Sequence, residues 1–340
     1  MTHVNDRYAR QRVLPEIGSK GQELLLNAST AVIGCGALGS VQAQLLARAG
    51  VGRIRIVDRD VLEENNLQRQ VIFDEEDVAA GLPKAEAAAR KLKKINSSIE
   101  IEGLVEDVTP RNIEGLIADM DLILDGTDNI ETRYLINDAC VKHTKPWIYG
   151  GVIGTTGMTM TVLPDEGPCI RCFFPETPPP GSLPTCDTAG VLNTAPATVA
   201  SIQVTEALKL IIGVEAEDYT LLTLDLWTGS YRSVVVQKDK NCPCCGQGRF
   251  DFLGAEEVSW TTTLCGRNSV QISPSRVTVL SLDDLSRRLS QAGKVSYNGL
   301  LLQFQINDHE LIIFPNGRTI VKGTTDESVA KTLYSKYLGN

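Results

Sequence analysis

The stretch TAVIGCGALGSVQAQLLARAGVGRIRIVD, residues 30–58, decides the fold. Residues 30–36, TAVIGCG, read as a buried strand running into glycine. Residues 37–49, ALGSVQAQLLARA, read as a helix closed by Gly50, and RIRIVD at 53–58 as a second strand. Between the first strand and the helix, Gly34, Gly36 and Gly39 form a G-x-G-x-x-G spacing that also contains Ala37. Glycines there let the backbone approach phosphates, and the helix N-terminus offers unpaired N–H groups and a favourable dipole. Asp58 closes the second strand, where a ribose-binding carboxylate belongs. These features alone fit ATP and NAD equally.

Working outward, 82–95 is rich in Ala and Lys and reads as a helix, with Pro83 in its first turn. Residues 99–105 and 121–128 read as strands, 130–142 as a helix and 147–153 as a further strand. This alternation predicts an α/β fold with a doubly wound, mostly parallel sheet. After Gly154 the pattern changes. Residues 157–164, 221–228 and 231–237 predict strands of an antiparallel or mixed half, with an apolar helix near 198–212 between the first two. Residues 175–186, PETPPPGSLPTC, are too proline-rich for a helix or a central strand and predict a long surface loop. A linker is expected over 246–262. A small C-terminal α/β domain is expected over 263–340, with helices near 281–291 and 325–337 and strands near 299–305, 310–314 and 318–322. Asn316-Gly317 marks a hairpin between the last two strands. The chain thus divides into a nucleotide-binding domain over 1–250 and a tail with no catalytic constellation, read as a docking or dimer-supporting module.

The 340 residues carry a formal charge of −9, which argues against a nucleic-acid surface, since phosphate binding needs concentrated Lys and Arg. The polar N-terminus lacks the apolar core of a signal peptide, and no apolar run approaches the roughly 20 residues of a membrane span. A cytoplasmic protein is expected, in which the nine cysteines serve as metal ligands, buried thiols or a reactive thiol rather than as disulfides.

The segment after Asp58 separates ATP from NAD. It holds Asp60, Asn65, Asn66, Gln68, Arg69 and Gln70 within eleven residues. A dehydrogenase has no need of such a polar cluster with an arginine. Phosphoryl transfer does, because charge on a triphosphate must be neutralised. Lys84 adds a cation at a helix start, and Asp128, followed by Asn129, lies just past a strand's C-terminal end. A carboxylate there suits magnesium, which keeps several waters and uses few protein ligands. Singly, Arg69 reads as a surface ion pair, Lys84 as a solvated helix face and Asp128 as a helix cap. Together, in this order along one sheet edge, they read as a site. An NAD-dependent oxidoreductase would share the glycine turn and Asp58 but leave Arg69, Lys84 and the cysteines unexplained.

Cys169-Ile-Arg-Cys172 and Cys242-Pro-Cys-Cys245 are two C-x-x-C pairs, and four thiolates close a tetrahedral structural zinc site. Cys244 competes with Cys245, which is preferred for its spacing. Cys186 lies at the end of the proline-rich loop, just before a helix, where a thiol is a candidate nucleophile. Cys35 and Cys140 look like buried small residues on core elements. Cys265 falls in a loop and has no assigned role.

These motifs resemble, in order, those of the ubiquitin-activating-enzyme-like superfamily of HesA/MoeB/ThiF type: Gly34-x-Gly36-Ala-Leu-Gly39-Ser, Val57-Asp58-x-Asp60, Asn66-Leu-Gln-Arg-Gln70, Gly81-x-Pro-Lys84 and Asp125-Gly-Thr-Asp-Asn129. Arg7-Tyr8-Ala9-Arg10-Gln11 matches the family's N-terminal motif, and the resemblance covers about residues 5–247. One departure is Ala37, where the family often has glycine. The resemblance implies a homodimer that binds ATP, Mg2+ and Zn2+. It also implies adenylyl transfer to the carboxylate of a small ubiquitin-like carrier protein ending in Gly-Gly, with release of pyrophosphate. It further implies that the backbone at Gly36 and Ala37 cradles phosphate and that Asp58 holds the ribose. Asn66, Arg69 and Lys84 would contact phosphates, Asp128 would hold magnesium, and Arg10 would reach the other subunit's nucleotide. Cys186 matches a family position that can form a thioester or a persulfide-linked intermediate. Two further alternatives are a carrier-binding homologue without activity and a relative that adenylates a tRNA base, the latter disfavoured by the acidic composition and the cysteine quartet.

Overall fold

Eight strands form one sheet: β1 (Ser29–Ile33), β2 (Arg53–Val57), β3 (Glu100–Leu104), β4 (Leu122–Asp125), β5 (Trp147–Ile153), β6 (Thr156–Val162), β7 (Thr220–Asp225) and β8 (Ser230–Val235). They lie in the order β3-β2-β1-β4-β5-β6-β7-β8. The first five pair in parallel, and β6, β7 and β8 continue the sheet antiparallel. This computed structural model describes residues 6–178, 186–215, 219–254, 261–264, 268–274 and 279–338, with the backbone alone at 186, 187 and 261–264. Helices α1 (Ala9–Arg12), α2 (Gly18–Asn27), α3 (Gly39–Ala49), α4 (Glu75–Ala79), α5 (Lys84–Ile95), α6 (Ile113–Ile117), α7 (Ile130–Lys142), α8 (Cys186–Ala189) and α9 (Thr194–Ile211) complete this part of the chain. Among the described residues, no helix is long and apolar enough to cross a membrane.

The sheet is covered on both faces. Ile113, Ile117, Tyr134 and Ile136 of α6 and α7 pack on Ile33, Val57, Ile123 and Trp147. Leu38 and Val41, at the start of α3, pack with Val199 and Ala200 of α9 and with Leu224 of β7. Each large apolar side chain withdrawn from water in these layers contributes about 1.5–3 kcal/mol. Strand order reverses between β1 and β4, so the connections leave in opposite directions there. Such a reversal is the point at which sheets of this kind form their ligand crevice, at the carboxyl ends of the strands.

Sequence and structure differ at instructive places. The first strand stops at Ile33, because Gly34 takes a φ of +88° that turns the chain. Helix α9 starts at Thr194 rather than near 198. Pro196 falls in its first turn, where a missing N–H costs nothing. Residues 247–254, expected as linker, instead pack on the first core through Phe250, Phe252 and Leu253. The Phe252 N–H donates to Asp138 Oδ2 at 2.9 Å, and the Phe252 ring lies 4.9 Å from that of Tyr134.

The chain forms two compact units: Met1–Ala79 with Pro83–Ala255, and Ala80–Leu82 with Glu256–Asn340. The second carries β9 (Thr261–Leu264), β10 (Ser269–Ile272), β11 (Lys294–Tyr297), β12 (Leu302–Ile306), β13 (His309–Ile313) and β14 (Thr319–Lys322), with α10 (Leu282–Leu289) and α11 (Glu327–Tyr337). Its sheet is antiparallel in the order β11-β12-β13-β14-β10-β9. Leu285, Phe304, Leu311, Val321 and Tyr334 lie in its core. The β13–β14 hairpin turns at Asn316-Gly317, with Gly317 at a φ of +83°.

Candidate functional site

At the reversal point, the turn after β1 and the turn after β4 touch backbone to backbone. A Cβ on Gly34 would lie 2.7 Å from the Gly126 carbonyl oxygen. One on Gly126 would lie 2.5 Å from the Gly34 oxygen, and one on Gly39 only 1.8 Å from it. All three positions therefore require glycine. Gly36 differs: a Cβ there would meet only Gln70 Nε2, at 3.8 Å, so its missing side chain leaves open space beside the turn. Gln70 is buried, and its Oε1 has no hydrogen-bond partner among the described residues. A buried amide oxygen left unpaired costs about 1–3 kcal/mol, a cost that a bound ligand or water removes.

The carboxylates beside this turn are tightly tied. Asp58 Oδ2 accepts from the Cys35 N–H at 2.6 Å and Oδ1 from the Asp60 N–H at 2.7 Å, so Asp58 shapes the glycine turn itself. Burial raises the Asp58 carboxyl above its ordinary range, and Lys84 opposes that rise. Lys84 opens α5, is 2% exposed, and pairs with Asp60 Oδ2 at 3.1 Å. Arg59 bonds Asp107 at 3.0 Å. Against the cost of its burial, the carboxylates of Asp107, Asp60 and Asp128 hold it above its ordinary value. Asp60, Lys84, Arg59 and Asp128 thus share one electrostatic neighbourhood. Arg59 was missed in the sequence reading, although it lies between the two aspartates singled out there.

The remaining candidates lie nearby in sequence but are held by local partners. A 3-10 turn covers Glu64–Asn66, in which Asn66 Oδ1 accepts from the Glu63 N–H at 3.2 Å and Nδ2 donates to Asn65 Oδ1 at 2.7 Å. Arg69 Nη1 donates to the Asn65 carbonyl at 2.9 Å, and Gln68 is exposed. Asp128 is exposed, and Asn129 caps α7 by accepting from the Thr132 N–H at 2.8 Å. Arg10 is exposed on α1, a short helix anchored by its neighbours. The Tyr8 hydroxyl accepts from Asn96 Nδ2 at 2.8 Å, its ring fills the space over Gly50, and Gln11 Nε2 donates to the Ala49 carbonyl at 2.8 Å.

A separate cluster lies beside α7, near Asn137. The sulfurs of Cys169, Cys172, Cys242 and Cys245 all lie within 4.8 Å of one another. Cys169 and Cys242 are 3.6 Å apart, and Cys172 and Cys245 3.4 Å. Zinc–sulfur bonds of about 2.3 Å in a tetrahedron imply sulfur separations near 3.8 Å, so the four thiolates fit a zinc ion. Cys244 stays outside the quartet: it is buried, and its sulfur accepts from Asn137 Nδ2 at 3.2 Å. Gly246 lets the second knuckle close, since a Cβ there would fall 2.4 Å from the Lys240 carbonyl oxygen. Burial pushes the Cys35 and Cys140 thiols up, away from reactivity. The backbone of Cys186 begins α8, while its side chain, like residue Cys265, lies outside the described residues.

Comparison with known proteins agrees with this architecture. The chain is 44% identical to the sulfur carrier protein ThiS adenylyltransferase of Bacillus subtilis (strain 168), over 99% of this chain and 100% of that protein. It is 42% identical to the SAMP-activating enzyme E1 of Haloferax volcanii, over 73% of this chain and 91% of the relative. Among solved structures, E. coli MccB superposes with a TM-score of 0.64 at 22% identity, covering 72% of this chain and 74% of that one, a likeness of fold. Residues 8–244 match the ThiF family profile, and the chain belongs to the ThiF family.

Proposed function

We propose that the chain is an ATP-dependent adenylyltransferase that activates the C-terminal carboxylate of a small ubiquitin-like sulfur-carrier protein. Full-length similarity to a ThiS adenylyltransferase supports the activity. The observation that carries the site is the backbone contact between the glycine turn and the Asp125–Asn129 turn, with the unpaired Gln70 amide and the Lys84–Asp60 pair on the same edge. On this reading the N–H groups at Gly36 and Ala37 cradle phosphate, Asp58 orients the ribose, and Asn66, Arg69 and Lys84 neutralise the phosphates. Asp128 would hold magnesium, which supplies charge neutralisation on the triphosphate. Arg10 completes the other subunit's site in a homodimer. A carrier carboxylate oxygen then forms a bond to the α-phosphorus as the bond to the bridging α,β-oxygen breaks, and pyrophosphate leaves. The protein's task is positioning and charge neutralisation rather than covalent chemistry. The carrier's tail ends in Gly-Gly, slender enough to enter such a crevice. A cysteine quartet suited to zinc, together with a need for ATP, supports a cytoplasmic location. In a later step on this reading the Cys186 thiolate attacks the carrier's acyl carbon, forming a thioester as the acyl–oxygen bond breaks and AMP leaves, tested by mass spectrometry of a trapped carrier–Cys186 adduct.

The test is isotope exchange. Purified chain with a cognate Gly-Gly carrier exchanges labelled pyrophosphate into ATP, and omission of the carrier abolishes exchange. No exchange with any Gly-Gly carrier would leave the carrier-binding homologue without activity. A melting temperature raised by NAD and not by ATP would favour the oxidoreductase.

A further inference from the structure

The turn that carries Asp128 is locked from beneath by a buried ion pair. Asp125 ends β4 and is fully buried. Its Oδ1 accepts from the Thr127 N–H at 2.9 Å and from Thr127 Oγ1 at 2.7 Å. Its Oδ2 accepts from Arg133 Nε at 3.2 Å and from the Gly150 N–H at 3.3 Å. Arg133 lies one turn into α7, and its side chain is only 12% exposed. It also donates through Nη2 to the Thr127 carbonyl at 2.8 Å, and its guanidinium lies 5.6 Å from the centre of the Tyr149 ring. The N–H, hydroxyl and carbonyl of Thr127 are therefore all held by this one pair. The Asp125 carbonyl is fixed as well, accepting from Gln42 at 2.8 Å and Gln203 at 3.0 Å. The next residue is Asp128, whose carboxylate is exposed.

Burying a carboxylate and a guanidinium together is costly, and a well-packed apolar pair often serves the fold as well or better. Here the pair joins β4, β5 and α7 and fixes each polar atom of the residue before Asp128. We propose that Arg133 and Asp125 are positioning residues that hold the Asp128 carboxylate in its metal-binding orientation. This rests on the reading of Asp128 as the magnesium carboxylate. Arg133 touches neither nucleotide nor metal on this account. It acts as partners behind a metal ligand commonly do, where substitution costs about 10–100-fold in metal affinity.

The experiment titrates Mn2+, as a paramagnetic stand-in for Mg2+, into the full chain with α,β-methylene-ATP and follows the ion by electron paramagnetic resonance. The wild-type chain binds Mn2+, and Asp128→Ala abolishes that binding. Arg133→Met raises the Mn2+ Kd by about tenfold or more, whereas nucleotide affinity without metal shifts less than threefold. Arg133→Lys keeps the charge but loses the two-pronged grip and falls between, and it provides the same comparison should Arg133→Met fail to fold. A Mn2+ Kd within twofold of wild type in whichever variant folds overturns the positioning role and leaves the metal role of Asp128 standing. No Mn2+ binding by the wild-type chain, or full binding by Asp128→Ala, overturns the underlying reading and this inference with it.

Discussion

Helix α7 borders a polar cluster in each of its halves, and the two follow opposite plans. Toward its C-terminal half, Asn137 takes the Ile170 N–H at 3.1 Å and gives a hydrogen bond to Cys244, tying both cysteine knuckles to one side chain. Four sulfurs already lie at metal-binding separations. At its N-terminal end Asp128 is exposed, while in the segments after β2 Lys84 leans on Asp60, Arg69 leans on the Asn65 carbonyl, and Gln70 Oε1 lacks a partner among the described residues. The first cluster is preassembled, as a site for a resident ion would be. The second parks its charges on protein partners that an incoming phosphate can displace or share. A resident ion contributes to the folding free energy, whereas an exchanging ligand must not be needed for folding.

The widest separation between the two ends is expected from Cys242→Ser. It should lower the melting temperature by at least about 10 °C, because zinc binding is folding free energy in such knuckles. A calorimetric scan showing an unchanged transition would put the thiolate cluster on the same footing as the nucleotide edge. Asp128→Ala and Arg69→Ala should each reduce pyrophosphate exchange by at least about 100-fold and leave the melting temperature within about 2 °C. Exchange that survives either change removes that residue from the chemistry. Asn137→Ala should lower the melting temperature by about 5 °C through two lost buried hydrogen bonds, with exchange kinetics preserved at 25 °C. A large loss of exchange in folded protein would mean that the two ends are coupled along the helix. Gln70→Met is the finest probe. It removes an unpaired buried amide, so the ligand-free protein should melt unchanged or slightly higher, while the ATP-induced rise shrinks by about 1 kcal/mol of binding. Equal ATP-induced shifts in both proteins would show that this amide faces water rather than nucleotide.

Much of this was legible in the chain because it is local. The run from Thr30 to Asp58 carries its own period and its own glycines, and the C-x-x-C spacing limits where two sulfurs can meet. What escaped the reading depends on distant partners. Helix α2 has no strong cap and is held by tertiary contacts: Gln22 Nε2 donates to the Ala49 carbonyl at 3.0 Å, 27 residues away. The Phe250–Leu253 segment looks like a linker because its burial depends on Tyr134, Asp138 and Arg171 on other elements. Arg133 resembles any helical arginine until Asp125 and Tyr149 arrive from two separate strands. The choice between Cys244 and Cys245 rests on spacing, and the four sulfurs that group in the structure include Cys245. Asn137 donates to the Cys244 sulfur, while the Cys245 sulfur lies 3.4 Å from that of Cys172.

The three glycines that meet where the two turns touch have a consequence for inheritance. Gly34, Gly39 and Gly126 face one another's main chains, so no single codon change at any of them yields a residue that fits, and no change at one opens room at another. A saturation library would record three columns in which only the parental residue survives. Descendants of this chain would acquire new partners by altering the rim around this fixed backbone contact.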